Sequence, residues 1–169
     1  MQPEELKTLV QEVVREVLAR QAQPAPAVQR VALGSDHGGF ALKQRLKGFL
    51  EGKGYAVLDL GTHSPEACDY PDFAKAVARA VQDGSCRSGI MIDGAGIGSS
   101  MVANKFKGIR AALCYDLKTI LNSRQHNDAN VLTLGASANP PEVVEEMVAT
   151  WLATPFEGGR HQKRVDKIE

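Results

Sequence analysis

The sequence predicts an α/β protein with a parallel β-sheet at its centre. From about residue 30 onward, short apolar runs alternate with segments of helical periodicity. The apolar runs lack the polar alternation of a half-exposed strand, so we expect a sheet that is covered on both faces. The chain has 169 residues, 43% of them hydrophobic, which is enough for one such domain with a proper core.

The elements follow one another in strict strand–helix order. Strands are predicted at residues 31–33, 55–60, 89–92, 109–114 and 131–134. Helices are predicted at residues 40–50, 71–81, 99–105, 117–125 and 141–152. Pro71 opens the second helix, where proline is tolerated, and Gly52 and Gly54 end the first. No internal repeat interrupts this order.

A separate segment precedes this domain, which we place at residues 30–169. Residues 1–20 are predicted to form an amphipathic helix, and residues 21–29 form a Pro/Ala/Gln linker. The apolar stripe consists of Leu6, Leu9, Val10, Val13, Val14, Val17 and Leu18. A helix this short is marginal alone, so the stripe must pack on its own domain, form a coiled coil, or dock into a groove of a partner.

The whole-chain composition excludes several classes of protein. Lys+Arg and Asp+Glu number 20 each, so the net charge gives no reason to expect nucleic acid or a membrane surface as a partner. No apolar run approaches the roughly 20 residues that span a bilayer, and no secretory signal is evident. The three cysteines, Cys68, Cys86 and Cys114, lack metal-ligand spacing. We expect free thiols, no metal site and a cytoplasmic protein.

The most informative stretch is Gly89–Ser100, a buried strand that runs into a glycine-rich turn and a helix start. Asp93 ends the strand, and alternate glycines then expose backbone N–H groups. A proton-transfer group beside an anion-binding turn suits chemistry on an oxyanion or a phosphorylated substrate. The alternative is a tight turn in which Asp93 only caps the helix. Asp36, His37 and Ser137 are expected at the same edge, the carboxyl ends of the strands.

Several segments together closely resemble ribose-5-phosphate isomerase B and its relatives, the galactose-6-phosphate isomerase subunits. The resemblance covers residues 30–168, and its most specific parts are the Ser-Arg-Gln-His-Asn-Asp-Ala-Asn run and the Gly-Gly-Arg-His tail. The segments are 34–40, 69–71, 94–98, 103–105, 123–131 and 158–164. The N-terminal helix and its linker likewise resemble the encapsulation peptides that tether enzymes inside bacterial microcompartments.

The resemblance implies a Rossmann-like, three-layer αβα sandwich with five parallel strands. It implies an aldose–ketose isomerase that needs no metal or cofactor and acts on a phosphorylated pentose or hexose through a cis-enediolate. Ribose 5-phosphate to ribulose 5-phosphate is the simplest such reaction. It also implies a homodimer or tetramer with active sites at the subunit interface, here packaged through a microcompartment shell or cargo protein.

The same resemblance assigns roles to individual residues. Asp93 stands where many family members carry a catalytic cysteine base, and His126 matches the histidine that opens the furanose ring. The matching substrate-binding residues are Asp36, His37, Tyr70, Gly94, Ala95, Gly96, Ile97, Gly98 and Asn127. His37, Arg160 and Arg164 match the phosphate-binding positions; the two arginines are one helical turn apart and can face one anion. His161 could assist them, but it and His63 are read as incidental.

Four departures from the family pattern leave the base and the sugar open. Asp93 replaces the cysteine. Ser99 occupies the position at which another branch carries a glutamate base, and it remains a catalytic candidate that could supply a missing hydroxyl. Ala95 replaces a Thr or Ser, and Ser137 replaces an arginine. Two alternatives to ribose 5-phosphate isomerisation remain: isomerisation of another pentose or hexose phosphate, and non-catalytic binding of a sugar phosphate. A nucleotide-binding module is disfavoured because the glycine pattern is incomplete and follows the third strand.

Overall fold

The computed structural model describes residues 29–168. The predicted helix at residues 1–20 and residues 21–28 of the predicted linker lie outside this range. The strands are β1 Arg30–Ser35, β2 Ala56–Asp59, β3 Ser88–Asp93, β4 Ala111–Leu113 and β5 Val131–Gly135. The helices are α1 Phe40–Gly52, α2 Tyr70–Gln82, α3 Ile97–Ala103, α4 Leu117–Gln125, α5 Pro141–Ala153 and α6 Gln162–Val165, with a 3₁₀ turn at Gly159–His161.

The five strands form one parallel sheet in the order β2-β1-β3-β5-β4. Leu33 is in register with Ile90, and Ile90 with Leu132. The prediction of a Rossmann-like α/β fold with a five-stranded parallel sheet is therefore confirmed. β4 is shorter than the predicted 109–114, in part because the Arg110 N–H donates to the Asn130 side chain at 2.8 Å instead of extending the strand ladder.

Helices cover both faces of the sheet, which gives the three layers. On one face, Leu46 of α1 and Trp151 of α5 are fully or almost fully buried in a cluster with Leu33 and Ile90. On the other face, α2 and α3 bury smaller side chains against the alternate strand residues. That second cluster consists of Ala32, Ala74, Val77, Ala78, Ala80, Cys86, Met91, Ala103, Ile109 and Val131. Strands buried on both faces explain the uninterrupted apolar runs of the sequence.

An ion pair is buried between α1 and the end of β2. Lys43 has no exposed surface, and its Nζ lies 2.5 Å from Asp59 Oδ1. Burial alone would raise the pKa of Asp59, but hydrogen bonds from Lys43 and from the Gly61 N–H outweigh it and hold that pKa below its usual value. The pair fixes the end of β2 beside the end of β1, where the Ser35 N–H donates to the Gly61 carbonyl.

Two further predictions concern the described residues. The three cysteines are free, as predicted, and burial raises the pKa of the Cys86 and Cys114 thiols, so neither is an activated thiolate. Between residues 29 and 168, no helix combines the length and apolar character needed to cross a bilayer.

Candidate active site

Asp93 lies at the carboxyl end of β3, and its carboxylate organises the loop that follows. Oδ1 accepts hydrogen bonds from the N–H groups of Ala95, at 2.8 Å, and Gly96. Oδ2 accepts from the Ser99 N–H at 3.1 Å and from the Ser99 hydroxyl. Asp93 is 4% exposed and Ser99 is fully buried. The carboxylate therefore fixes the loop, and two of its four bonds come from one serine.

Glycine is required at two positions of this loop. Gly96 has φ of +79°, and a Cβ atom there would lie 2.6 Å from Leu113 Cδ1 and 2.8 Å from the Leu134 carbonyl carbon. A Cβ on Gly98 would lie 2.5 Å from the ring of Tyr70. The loop thus passes closely between β5 and Tyr70, which holds its backbone in place at the edge of the sheet.

Residues from the neighbouring strand ends lie at the same edge. Asp36 follows β1, and its Oδ1 accepts from the Gly39 N–H at 3.0 Å, so it caps the turn into α1. The ring of His37 is exposed, and its Nδ1 lies 3.2 Å from the Cys68 carbonyl oxygen and 3.3 Å from the Cys68 nitrogen. The structure therefore brings one group of predicted residues together with Asp93: Asp36, His37, Tyr70, Gly94, Ala95, Gly96, Ile97, Gly98 and Ser99.

Two contacts at this edge carry information that the sequence patterns did not reveal. The Tyr115 hydroxyl donates to the Ala95 carbonyl at 2.6 Å, and the Ser137 hydroxyl lies 3.4 Å from the Gly94 carbonyl oxygen. The sequence could have identified Tyr115 as a residue of this site, because it directly follows the predicted fourth strand and therefore lies at the carboxyl edge of the sheet. Together the two side chains hold loop carbonyls on the side of β4 and β5.

The remaining predicted residues lie at the opposite edge of the sheet. α4 returns from β4 antiparallel to the strands, so His126 and Asn127, which follow it, lie near the strand starts. The Gly89 N–H at the start of β3 donates to the Asn130 carbonyl at 3.0 Å, which fixes this placement. β3 is six residues long, and such a strand spans roughly 20 Å. One chain therefore does not bring His126 to Asp93.

His126 is part of a cluster with the C-terminal segment. Its ring stacks on His161, with centroids 4.2 Å apart and planes within 5°. Glu157 Oε2 lies 3.8 Å from Nε2 of both rings, and the Arg160 Nε lies 3.4 Å from His161 Nε2. Burial, followed by the charges of His126 and Arg160, lowers the pKa of His161. Arg164 also acts on that ring, so both predicted phosphate-binding arginines lie beside this cluster.

The cluster is also the set of side chains best suited to a metal ion in residues 29–168. The ligand atoms of His126, Glu157 and His161 lie within 4.8 Å of one another. Two imidazoles that share one ion converge on it at about 2.0 Å, whereas these rings are parallel and Arg160 faces one of them. The arrangement therefore suits stacked, hydrogen-bonded imidazoles better than ligands to a metal.

Comparison with known proteins decides the family. A family model described as Ribose/Galactose Isomerase matches residues 31–168. The chain belongs to the ribose/galactose isomerase family. Among curated members, "Ribose-5-phosphate isomerase B" of Escherichia coli K12 is 45% identical over 141 residues, which is 83% of this chain and 95% of that protein. "D-erythrulose-4-phosphate isomerase" of Pectobacterium atrosepticum is 40% identical over 140 residues, covering 82% and 91%.

Solved structures of this isomerase family share the fold. The ribose-5-phosphate isomerase B of Clostridium thermocellum has a TM-score of 0.82 and 48% identity, covering 83% of this chain and 95% of that one. The type B enzyme of Trypanosoma brucei has a TM-score of 0.81 and 44% identity, covering 83% and 97%. The chain is therefore an isomerase with the family's α/β architecture, as its sequence motifs predicted.

Proposed function

We propose that this isomerase interconverts an aldose phosphate and a ketose phosphate, most simply ribose 5-phosphate and ribulose 5-phosphate. The observation that carries the proposal is the buried Asp93 carboxylate at the head of a rigid glycine loop, beside the exposed His37 and Tyr70. Isomerisation requires a base for the C2 proton and donors for the enediolate oxygens. The edge of the sheet around β3 offers both kinds of group.

In this mechanism Asp93 removes the C2 proton of the open-chain aldose, and the electrons form a cis-enediolate. The same carboxyl group returns the proton to C1 while the O2 hydroxyl proton passes to O1, so that C2 becomes the carbonyl and no redox partner or net proton is needed. The N–H groups of Ala95 and Gly96 already bond to Asp93. Those of Gly94, Ile97 and Gly98 are the donors that we assign to the substrate oxygens.

Asp93 must release one hydrogen bond before it can accept a proton from carbon. The Ser99 hydroxyl is the most easily displaced partner, because rotation about its Cα–Cβ bond frees a lone pair on Oδ2 while the N–H bond stays in place. We assign Ser99 the role of controlling access to the base. The competing interpretation, in which Asp93 only caps the loop, requires a different base.

We propose that the complete site forms between two copies of the chain. The Asp93 edge and the His126 edge are separated by the length of β3, and an open five-carbon sugar phosphate is shorter than this. Ile97 and Met101 on α3 are 47% and 63% exposed next to the glycine loop, which suits an apolar subunit contact. In a homodimer, His126 and Asn127 of one copy would complete the Asp93 site of the other.

The phosphate and the ring would be handled by the second copy. Arg160 and Arg164 supply two cations for the phosphate, and His37 contributes a polar ring nitrogen from the first copy. Ring opening breaks the bond between C1 and the ring oxygen, moves the O1 hydroxyl proton to that oxygen, and leaves O1 as the carbonyl oxygen. His126 is the side chain that we assign to the ring oxygen, and Asn127 binds neighbouring hydroxyl groups.

A subunit-complementation experiment tests both the activity and the shared site. Asp93→Asn and His126→Asn chains, carrying two different affinity tags, are co-expressed, and the mixed dimer is isolated by sequential purification. Each parent variant is expected to be inactive. The mixed dimer retains one intact site of two, so it should show about half of the unmodified activity. An inactive mixed dimer would mean that each site is built from one chain, and failure to isolate one would exclude the dimer.

A second candidate substrate is a four-carbon sugar phosphate, which the relationship to the Pectobacterium atrosepticum enzyme supports. Comparing kcat/KM for ribose 5-phosphate, a hexose 6-phosphate and erythrulose 4-phosphate ranks these sugars. Tight binding of all of them without turnover would favour the non-catalytic binding protein.

We further propose that residues 1–20 direct the enzyme into a cytoplasmic microcompartment by docking on a shell or cargo protein. The apolar stripe at helical spacing and the Pro/Ala/Gln linker support this assignment. Deleting residues 1–27 should abolish co-purification with shell proteins and leave the activity and oligomeric state unchanged. Loss of the oligomer would instead assign the segment to subunit assembly.

A further inference from the structure

The ring of His126 is held by a residue that none of the motifs singled out. Asn122 lies one helical turn earlier on α4, and its Nδ2 is 2.9 Å from His126 Nδ1. Glu157 Oε2 lies 3.8 Å from the other ring nitrogen, and His161 covers one face. Both nitrogens and one face of His126 therefore have defined neighbours.

The Asn122 side chain has one orientation that satisfies its own neighbours. Asn127 Nδ2 donates to Asn122 Oδ1 at 3.1 Å and to the Asn122 main-chain carbonyl at 3.2 Å. Since an amide nitrogen can donate but not accept, Oδ1 must face Asn127, and Nδ2 must then face His126. The Asn127–Asn122–His126 chain of hydrogen bonds runs in one direction only.

This direction determines which nitrogen of His126 carries the proton. Asn122 Nδ2 donates, so Nδ1 must offer its lone pair, and the ring proton of neutral His126 lies on Nε2. A second proton, on Nδ1, would place two donors against each other. We propose that Asn122 is a positioning residue that fixes His126 as the neutral Nε2–H form, so that Nε2–H is the group presented to the substrate. The kinetic consequence rests on the proposed function, but the proton position does not.

Two neighbours of His126 agree with this proton position. The carboxylate of Glu157 faces Nε2 and favours a hydrogen there. His161 receives the Arg160 Nε on its own Nε2 and is neutral in this arrangement, so it stacks without adding charge. A neutral imidazole N–H is a hydrogen-bond donor for a ring or carbonyl oxygen, which fits the role assigned to His126.

Long-range ¹H–¹⁵N correlation spectra of the full-length enzyme without ligand test the proton position directly. The His126 signals are identified by their loss in His126→Asn. In the unmodified enzyme at neutral pH, Nε2 should be protonated and Nδ1 should not. Asn122→Asp replaces the donor by an acceptor and should move the proton to Nδ1, and Asn122→Leu should leave a mixture of the two forms. Lys118→Gln, on the same helix, removes one positive charge and is the charge-matched control for Asn122→Asp.

A protonated Nδ1 in the unmodified enzyme, or an unchanged pattern in Asn122→Asp, would overturn the proposal. Kinetics provide the second measurement. Losing the tautomer preference that one hydrogen bond sets corresponds to about a five-fold to ten-fold decrease in kcat. We expect kcat for ribose 5-phosphate to fall by about this factor in both Asn122 variants, with KM changed less and Lys118→Gln unaffected. If the unmodified enzyme turns over no sugar phosphate, the proposed function fails, whereas the NMR result still decides the role of Asn122.

Discussion

The hydroxyl of Ser99 offers the sharpest test of how Asp93 works. Ser99→Ala removes one of the four hydrogen bonds to the carboxylate and keeps the other three, from the N–H groups of Ala95, Gly96 and Ser99 itself. A hydrogen bond to a charged group is worth about 1.5–3 kcal/mol. Because Ser99 is fully buried, no water replaces the hydroxyl, and we expect a loss of about 2 kcal/mol in the free energy of unfolding.

The same substitution should have a different effect on catalysis. If Asp93 is the base and the Ser99 hydroxyl only limits access to it, the alanine variant has a free lone pair on Oδ2. Its kcat should then stay within about ten-fold of the unmodified enzyme, a barrier change of at most about 1.4 kcal/mol. Urea unfolding measures the stability, and initial rates with ribose 5-phosphate measure the activity. Ser99→Thr, which keeps the hydroxyl but adds a buried methyl group, separates the effect of the bond from that of packing.

Two outcomes would refute this reasoning. An unchanged free energy of unfolding would mean that the Ser99 hydroxyl does not bond to a charged Asp93. A fall in kcat of more than about a hundred-fold in a folded Ser99→Ala enzyme, or about 2.7 kcal/mol in the barrier, would place the proton transfer on Ser99. In that case Asp93 would act through the serine instead of on the substrate.

Three further predictions follow from the fold and the C-terminal segment. Asp59→Asn leaves the buried Lys43 without its anion and should lower the free energy of unfolding, measured with urea, by about 3 kcal/mol. Adding Lys43→Met should recover part of this loss; if the losses of the two single variants instead add up in the double variant, the pairing is excluded. Gly96→Ala forces a non-glycine residue to φ of +79° against Leu134, so stability should fall by at least about 2 kcal/mol and kcat should fall with it; an unaltered variant would contradict the loop geometry. The pKa of His161 is lowered by burial, so below about pH 6.5 the unfolded chain binds a proton that the folded chain does not, and stability should decrease as the pH falls; His161→Phe should flatten this dependence, and an equally steep curve would refute it.

Much of the fold was predictable because its signals are local. The helix at 117–125 matches α4 at both ends, and each strand was located, since buried parallel strands read as apolar runs bounded by glycine and polar residues. The meeting of Asp36, His37 and Asp93 followed from one topological fact, that the carboxyl ends of parallel strands share an edge.

The rest depends on tertiary contacts that no local pattern encodes. The distance from Asp93 to His126 depends on the direction in which α4 returns across the sheet. The Tyr115–Ala95 and Asn122–His126 hydrogen bonds depend on side-chain packing, and the helical spacing of Asn122 and His126 was the only trace of the second. His161 looked incidental in the sequence, whereas it stacks on His126 because the C-terminal 3₁₀ turn folds back beside α4.

Proton NMR of ribose 5-phosphate in heavy water, with the unmodified enzyme and Asp93→Asn side by side, tests whether Asp93 is the base of an isomerase. We expect the unmodified enzyme to form ribulose 5-phosphate and to exchange the transferred hydrogen with solvent deuterium, and we expect a folded Asp93→Asn enzyme to do neither. Turnover that survives in Asp93→Asn would contradict Asp93 as the base. No product and no exchange with the unmodified enzyme, for this sugar and for the four-carbon and six-carbon phosphates, would contradict the isomerase itself.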